Sequence, residues 1–99
     1  MKVSSINTQL ILNFLKGKSA NKISLFGSYA RGEEHDNSDV DILVNFKNKI
    51  SLIDLIEIQY ELSDILNKKV DLVTENSLKN KRILDYINND LIELYNEKG

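Results

Sequence analysis

Gly27-Ser28-Tyr29-Ala30-Arg31-Gly32, then Glu33-Glu34-His35-Asp36-Asn37, then Ser38-Asp39-Val40-Asp41-Ile42-Leu43-Val44 is the stretch whose reading decides the fold. Just before it, Ile23-Ser24-Leu25-Phe26 is a short apolar run bounded by Asn21 and Gly27, which reads as a first strand ending in a Gly-Ser turn. Ser28 to Arg31 reads as the first turn of a short helix, with unpaired backbone N–H groups pointing at any anion beside the turn. Glu33 to Asn37 is polar and aperiodic, an exposed loop, and its His35 reads as a solvated loop histidine. A second strand follows from about Asp39 to Phe46. Alternation along a strand puts Asp39 and Asp41 on one face, with Cα atoms about 6.7 Å apart. Val40, Ile42 and Val44 point to the other face, where they can meet a helix. At that spacing and an effective dielectric of about 20, two carboxylates repel by roughly 2.5 kcal/mol. A strand that holds such a pair usually offsets it with a cation, and carboxylate oxygens are the donors that Mg²⁺ or Mn²⁺ prefers. Taken singly, Asp-x-Asp, Gly-Ser and Ser38 each fit ordinary turn chemistry. Their joint order carries the signal.

Outward from this centre, residues 5–16 read as a first helix, with Ile6, Leu10, Ile11, Phe14 and Leu15 on one stripe and Gly17 as its stop. After the second strand, Lys47-Asn48-Lys49 forms a turn. Ser51 with Asp54 three residues on then opens the next helix in the manner of a capping box. Leu52, Leu55, Ile56, Gln59, Leu62, Ile65 and Leu66 give that helix a stripe to about Asn67, read as core. Lys69-Val70-Asp71-Leu72-Val73 is a third strand carrying a third carboxylate, which by itself reads as an edge aspartate facing solvent. The pattern from Ser77 to Glu97 predicts a last helix, with Ser77 as N-cap and Leu78, Ile83, Leu84, Ile87, Leu91 and Leu94 inward. Lys79, Lys81 and Arg82 cluster near its start, either as a solvated face or as a hold on phosphate or a partner. The expected architecture is α/β (α+β) in the order α-β-α-β-α-β-α. It is a small mixed β-sheet with helices packed on one face and the other face open around the aspartates. Residues 1–99 are expected to form a single domain.

The order of strand, Gly-Ser, Arg-Gly, short loop, Ser-Asp-x-Asp and strand resembles the minimal nucleotidyltransferases of the DNA polymerase β superfamily. Their signature reads approximately G-S-x-A-R-G, a short loop, then S-D-x-D-[IL], and every fixed position stands here at the expected spacing. The specific motif occupies residues 27–44, with Asp71 in its V-D-L context at the place of the family's third carboxylate. The resemblance implies two Mg²⁺ (or Mn²⁺) ions held by Asp39, Asp41 and Asp71, with Asp39 and Asp41 bridging and Asp71 nearest the nucleophile. It implies a nucleotide site at Gly27, Ser28, Arg31 and Ser38, where Gly27 allows close backbone approach and Ser28 cradles the β- and γ-phosphates. Arg31 either pairs with phosphate or clamps the loop. The donor implied is ATP, attacked at its α-phosphorus with release of pyrophosphate.

Stand-alone proteins similar to this one are commonly encoded beside a helical HEPN protein, a toxin, and act as antitoxin by transferring AMP to one of its tyrosines. That is the first expectation. Two others stand beside it: a non-catalytic antitoxin that neutralises its partner by occlusion, and a small-molecule nucleotidyltransferase, disfavoured because such enzymes carry an extra domain. The intact carboxylate triad separates the first from the second, since occlusion does not require it.

Composition narrows the remaining classes. Charged residues make up 28% and apolar ones 41% of the 99, which is ordinary globular composition. A net charge of −2 argues against non-specific nucleic-acid binding, which shows as a basic surface. With no cysteine there is neither a disulfide framework nor a zinc-thiolate site. No apolar run approaches the ~18 residues that span a bilayer, and no signal-peptide core stands at the N-terminus. A cytoplasmic location is expected, and the Asn-, Lys- and Ile-rich composition points to an AT-rich bacterial genome.

Overall fold

In the computed structural model, residues 7–33, 37–75, 85 and 89–97 are described. The alternation of Val40, Ile42 and Val44 is realised as a central strand, β2 (Val40–Phe46), with those three side chains buried. Ahead of it lie α1 (Thr8–Gly17), β1 (Ala20–Phe26) and the one-turn α2 (Ser28–Arg31). After it come α3 (Leu52–Leu66), β3 (Val70–Thr74) and β4 (Ile92–Asn96). The sheet order is β3-β2-β1-β4. β1 runs antiparallel to both β2 and β4, while β2 and β3 are parallel and joined through α3, as a parallel pair requires. The sheet is therefore mixed, as expected.

One sheet face carries Ile23, Leu25, Val40, Ile42, Val44, Val70 and Leu72, and it packs with Ile11 and Leu15 of α1 and Ile58 and Leu62 of α3. The helix starts are capped as polar residues at these positions should cap them. The Asn7 side chain accepts from Leu10 N–H at 3.2 Å, and the Ser51 hydroxyl accepts from Asp54 N–H at 3.1 Å. The second capping pair is the one read from the sequence.

Several expectations are corrected. Leu10, Leu52, Ile56 and Ile65 are exposed, and Ile58, which the α3 stripe left out, is buried instead. The opposite sheet face is open around the aspartates, with Asp71 exposed and Asp41 half-buried, but its centre is not, since Ser24 and Leu43 lie there and are buried. The helix expected to run on to Glu97 does not do so, because Ile92–Asn96 form β4, with Leu25 opposite Ile92 and Ile23 opposite Tyr95. Leu91 and Leu94 fit a helical period, but Ile92, Leu94 and Asn96 also alternate. Pairing with β1 satisfies a row of backbone groups that a sheet edge leaves open. Ahead of β4, Asp85, Asn89 and Asp90 are helical as expected, while residues 77–84 and 86–88 of that helix, including Ser77, Lys79, Lys81 and Arg82, lie outside the described residues, as do His35 and residues 5–6.

Candidate active site

The turn after β1 is built on Gly27, whose φ of 76° and ψ of −154° are backbone values that only glycine adopts without strain. The space above its Cα is filled by the Asp41 carboxylate, so any Cβ there would collide with it. Gly27 C=O accepts from Arg31 N–H at 3.1 Å, closing α2, and Gly32 ends it in the left-handed region at φ 71°. Tyr29 anchors the turn: its ring is 2% exposed within the core, and Lys68 Nζ lies 5.9 Å from the ring centroid. Ser28 opens α2 and is partly exposed.

Asp41 is a residue of β2 and Asp71 of β3, and the parallel register makes them direct partners. On the other side Asp41 faces Phe26, the last residue before the Gly-Ser turn. The turn and two of the three carboxylates thus meet at one end of the sheet. Asp39 lies immediately before β2, where Val40 N–H donates to Lys69 C=O at 2.8 Å and Lys69 Nζ stands 3.8 Å from Asp39 Oδ2.

The carboxylates feel one another. Burial first, then the negative charges of Asp71 and Asp39, push the Asp41 carboxyl up to about 6, and the Arg31 guanidinium pulls it down by less. Donor chemistry of this kind, oxygen-only and with one carboxylate disfavoured in its charged form, fits a hard divalent cation. Among the described residues, no three such side chains are already gathered around one point, and Asp39 leans to Lys69 instead. Asp39 would have to exchange that ammonium for the ion.

Arg31, left between two roles by the sequence, is paired here with protein. Its Nε donates to Glu33 Oε1 at 2.7 Å and its Nη1 to Asp90 Oδ2 at 3.1 Å. It clamps the start of the loop and ties it to the residues just ahead of β4. Ser38 stands with Asn37, Asp39, Asn67, Lys68 and Lys69 around a hollow of ≈350 Å³. Lys68 and Lys69 were not singled out from sequence, although a signal existed. In a β-α-β unit the residues entering the second parallel strand lie beside those entering the first. Asp90 gave no such signal, being 59 residues from Arg31.

A relative from Methanocaldococcus jannaschii, named as a putative protein adenylyltransferase, is 39% identical over 94 residues, which is 95% of this chain and 99% of the relative. The protein adenylyltransferase MntA of Thermococcus cleftensis is 50% identical over 58 residues, 59% of either chain. Among solved structures, a toxin–antitoxin complex with AMP-PNP contains a chain that superposes with a TM-score of 0.84 at 29% identity, over 92% of this chain and 74% of that one. The nucleotidyltransferase domain model matches residues 9–94, from α1 into β4. A match of that extent, laid over a Gly-Ser turn that packs on the first of two facing aspartates, makes the chain a member of the minimal nucleotidyltransferase family.

Proposed function

We propose that the chain is a protein adenylyltransferase which moves AMP from ATP to a tyrosine hydroxyl of a helical HEPN-type toxin, and so serves as the antitoxin of that pair. The observation that supports this reading most is the meeting of Asp41 and Asp71 at one register position, directly against the Gly27 backbone. The names of the relatives and the toxin–antitoxin complex with AMP-PNP support the choice of donor and of partner class.

In the reaction the acceptor oxygen bonds to the α-phosphorus, the α–β phosphoanhydride bond breaks, and pyrophosphate leaves with both its electrons. The phenolic proton needs a base, and Asp71, exposed on β3, is the carboxylate with room to take it. Asp39, Asp41 and Asp71 would hold Mg²⁺ or Mn²⁺, which supplies neutralising charge to the phosphates and to the oxygens on either side of the phosphorus. Gly27 lets Asp41 lie against the turn, and Ser28 and Ser38 would contact the nucleotide. Arg31 holds the loop between α2 and β2 through Glu33 and Asp90.

The experiment is transfer from labelled ATP to a purified HEPN-type toxin. Label from α-labelled ATP is expected on that protein only with Mg²⁺ or Mn²⁺, and label from γ-labelled ATP is not. Transfer of the γ-label would make the protein a kinase and overturn the reading. Asp39→Asn, Asp41→Asn and Asp71→Asn should each abolish transfer and rescue from the toxin. Rescue by all three would move the assignment to neutralisation by occlusion.

A further inference from the structure

The solvent side of α3 is more apolar than a helix covering one sheet face requires. Leu52, Ile53, Ile56 and Tyr60 are 72%, 69%, 41% and 67% exposed. At 100° per residue these four fall within an arc of about 100° on the helix surface. The adjoining arc is acidic, formed by Asp54, Glu57, Glu61 and Asp64, and α3 contains no lysine or arginine to balance it. Glu61 meets Lys18 from outside the helix, at 4.0 Å. A two-turn apolar ridge with a carboxylate rim on one side is therefore exposed to solvent.

This ridge is continuous with the site. Its last residue, Tyr60, borders a hollow of ≈430 Å³ that also takes in Asn67, Lys68 and Lys69. The same three residues line the hollow that ends at Asp39. A trough thus runs from the apolar ridge, around the turn between α3 and β3, to the first carboxylate.

We propose that this face of α3 is the docking surface for a partner protein that presents an apolar ridge flanked by lysine or arginine. Such a partner buries its ridge on Leu52, Ile53, Ile56 and Tyr60 and sets its basic side chains on the acidic arc. Its acceptor side chain then enters the trough at Asn67–Lys69. A second copy of this chain is a poor occupant, because the two acidic arcs would face like charge with like. A phosphate-rich surface is repelled for the same reason. The direction of entry rests on the adenylyl-transfer reading, but the docking surface itself does not.

The test is calorimetric titration of the full chain with a purified HEPN-type toxin, alongside the label-transfer assay. Ile53→Gln with Tyr60→Gln removes apolar contact while keeping good helix formers at exposed positions. Glu57→Lys with Asp64→Lys reverses the rim. Each pair is expected to weaken association roughly tenfold or more, and the deficit of the charge-reversed pair should shrink at high salt. Asp71→Asn should bind as wild type does while transferring no label. That result separates the two proposals, since loss of binding in the surface variants supports the docking face even where no AMP moves. Wild-type affinity in both surface variants, or no association by the wild-type chain, would overturn it. So would a homodimer that Ile53→Gln with Tyr60→Gln dissociates, which would make a second copy the occupant.

Discussion

Glycines 27 and 32 flank the same turn and do different work. Both have positive φ, 76° and 71°, yet only Gly27 has a neighbour where a Cβ would go, the Asp41 carboxylate. Gly27→Ala should therefore lose about 1–3 kcal/mol of stability, and AMP transfer should fall with it, because Asp41 must move. Gly32→Ala meets open space and bears only the left-handed backbone penalty, about 1 kcal/mol, with transfer retained. Thermal melts and the labelled-ATP assay on the two variants check this contrast, and equal loss of transfer in both would show that the turn as a whole, not the Asp41 contact, matters. The sequence placed Gly27 in a tight turn but could not say what approaches it, since the intruding side chain comes from a different strand. Arg31 shows the same divide: its bond to Glu33 is local, and its bond to Asp90 crosses the chain.

At the scale of elements, α3 does more than cover the sheet. Among the described residues β3 is an edge strand, and its Val70 and Leu72 N–H groups are taken by α3 side chains. Val70 N–H donates to Ser63 Oγ at 3.0 Å, while that hydroxyl donates to Gln59 C=O at 2.8 Å. Leu72 N–H donates to Gln59 Oε1 at 2.8 Å. These bonds hold the strand on either side of Asp71. Ser63→Ala or Gln59→Ala should each destabilise by about 1–2 kcal/mol, because a partly buried donor loses its acceptor. Urea unfolding is the measurement, with the midpoint lowered and the slope unchanged. The existence and limits of α3 were legible, down to the Ser51 cap. Its buried face was not, because apolar residues stand on its exposed side as well as its buried one, and a 3.6-residue period then fits more than one face. β4 was misread for a related reason: a five-residue segment carries too few positions to separate a period of 2 from one of 3.6.

For the molecule as a whole, the half-buried Asp41 carboxyl beside Asp71 makes stability depend on pH. The Asp41 carboxyl sits at about 6 in the fold, against about 3.9 in an unfolded chain. Below about pH 4 it is protonated in both states. Between about pH 4 and 6 the fold keeps a proton that the unfolded chain has lost, so this contribution to stability falls as pH rises and stays lost above. With the carboxylate partly exposed and solvent-screened, the loss is on the order of 1 kcal/mol. Asp41→Asn should remove that slope and be at least as stable as wild type at pH 7 in EDTA. Mg²⁺ with nucleotide should raise the wild-type melting temperature at pH 7 and do little for the variant. Melting curves across pH 4–7, with and without Mg²⁺, decide it, and a variant that melts well below wild type in EDTA would make Asp41 a structural hydrogen-bonding residue.

The chain's own order of residues determined the mixed α/β class, the first three strands, the Gly-Ser turn and the facing of apolar β2 side chains to a helical layer. Each of these follows from periodicity and turn chemistry within a few residues. Tertiary structure alone decided that Asp71 pairs with Asp41, that Arg31 reaches Asp90, that Ile92–Asn96 closes the sheet as a strand, and that Leu52, Ile53, Ile56 and Tyr60 stay outside. These depend on which distant segments come to lie side by side, and that is settled by the burial and backbone pairing of the whole chain, to which no local pattern has access.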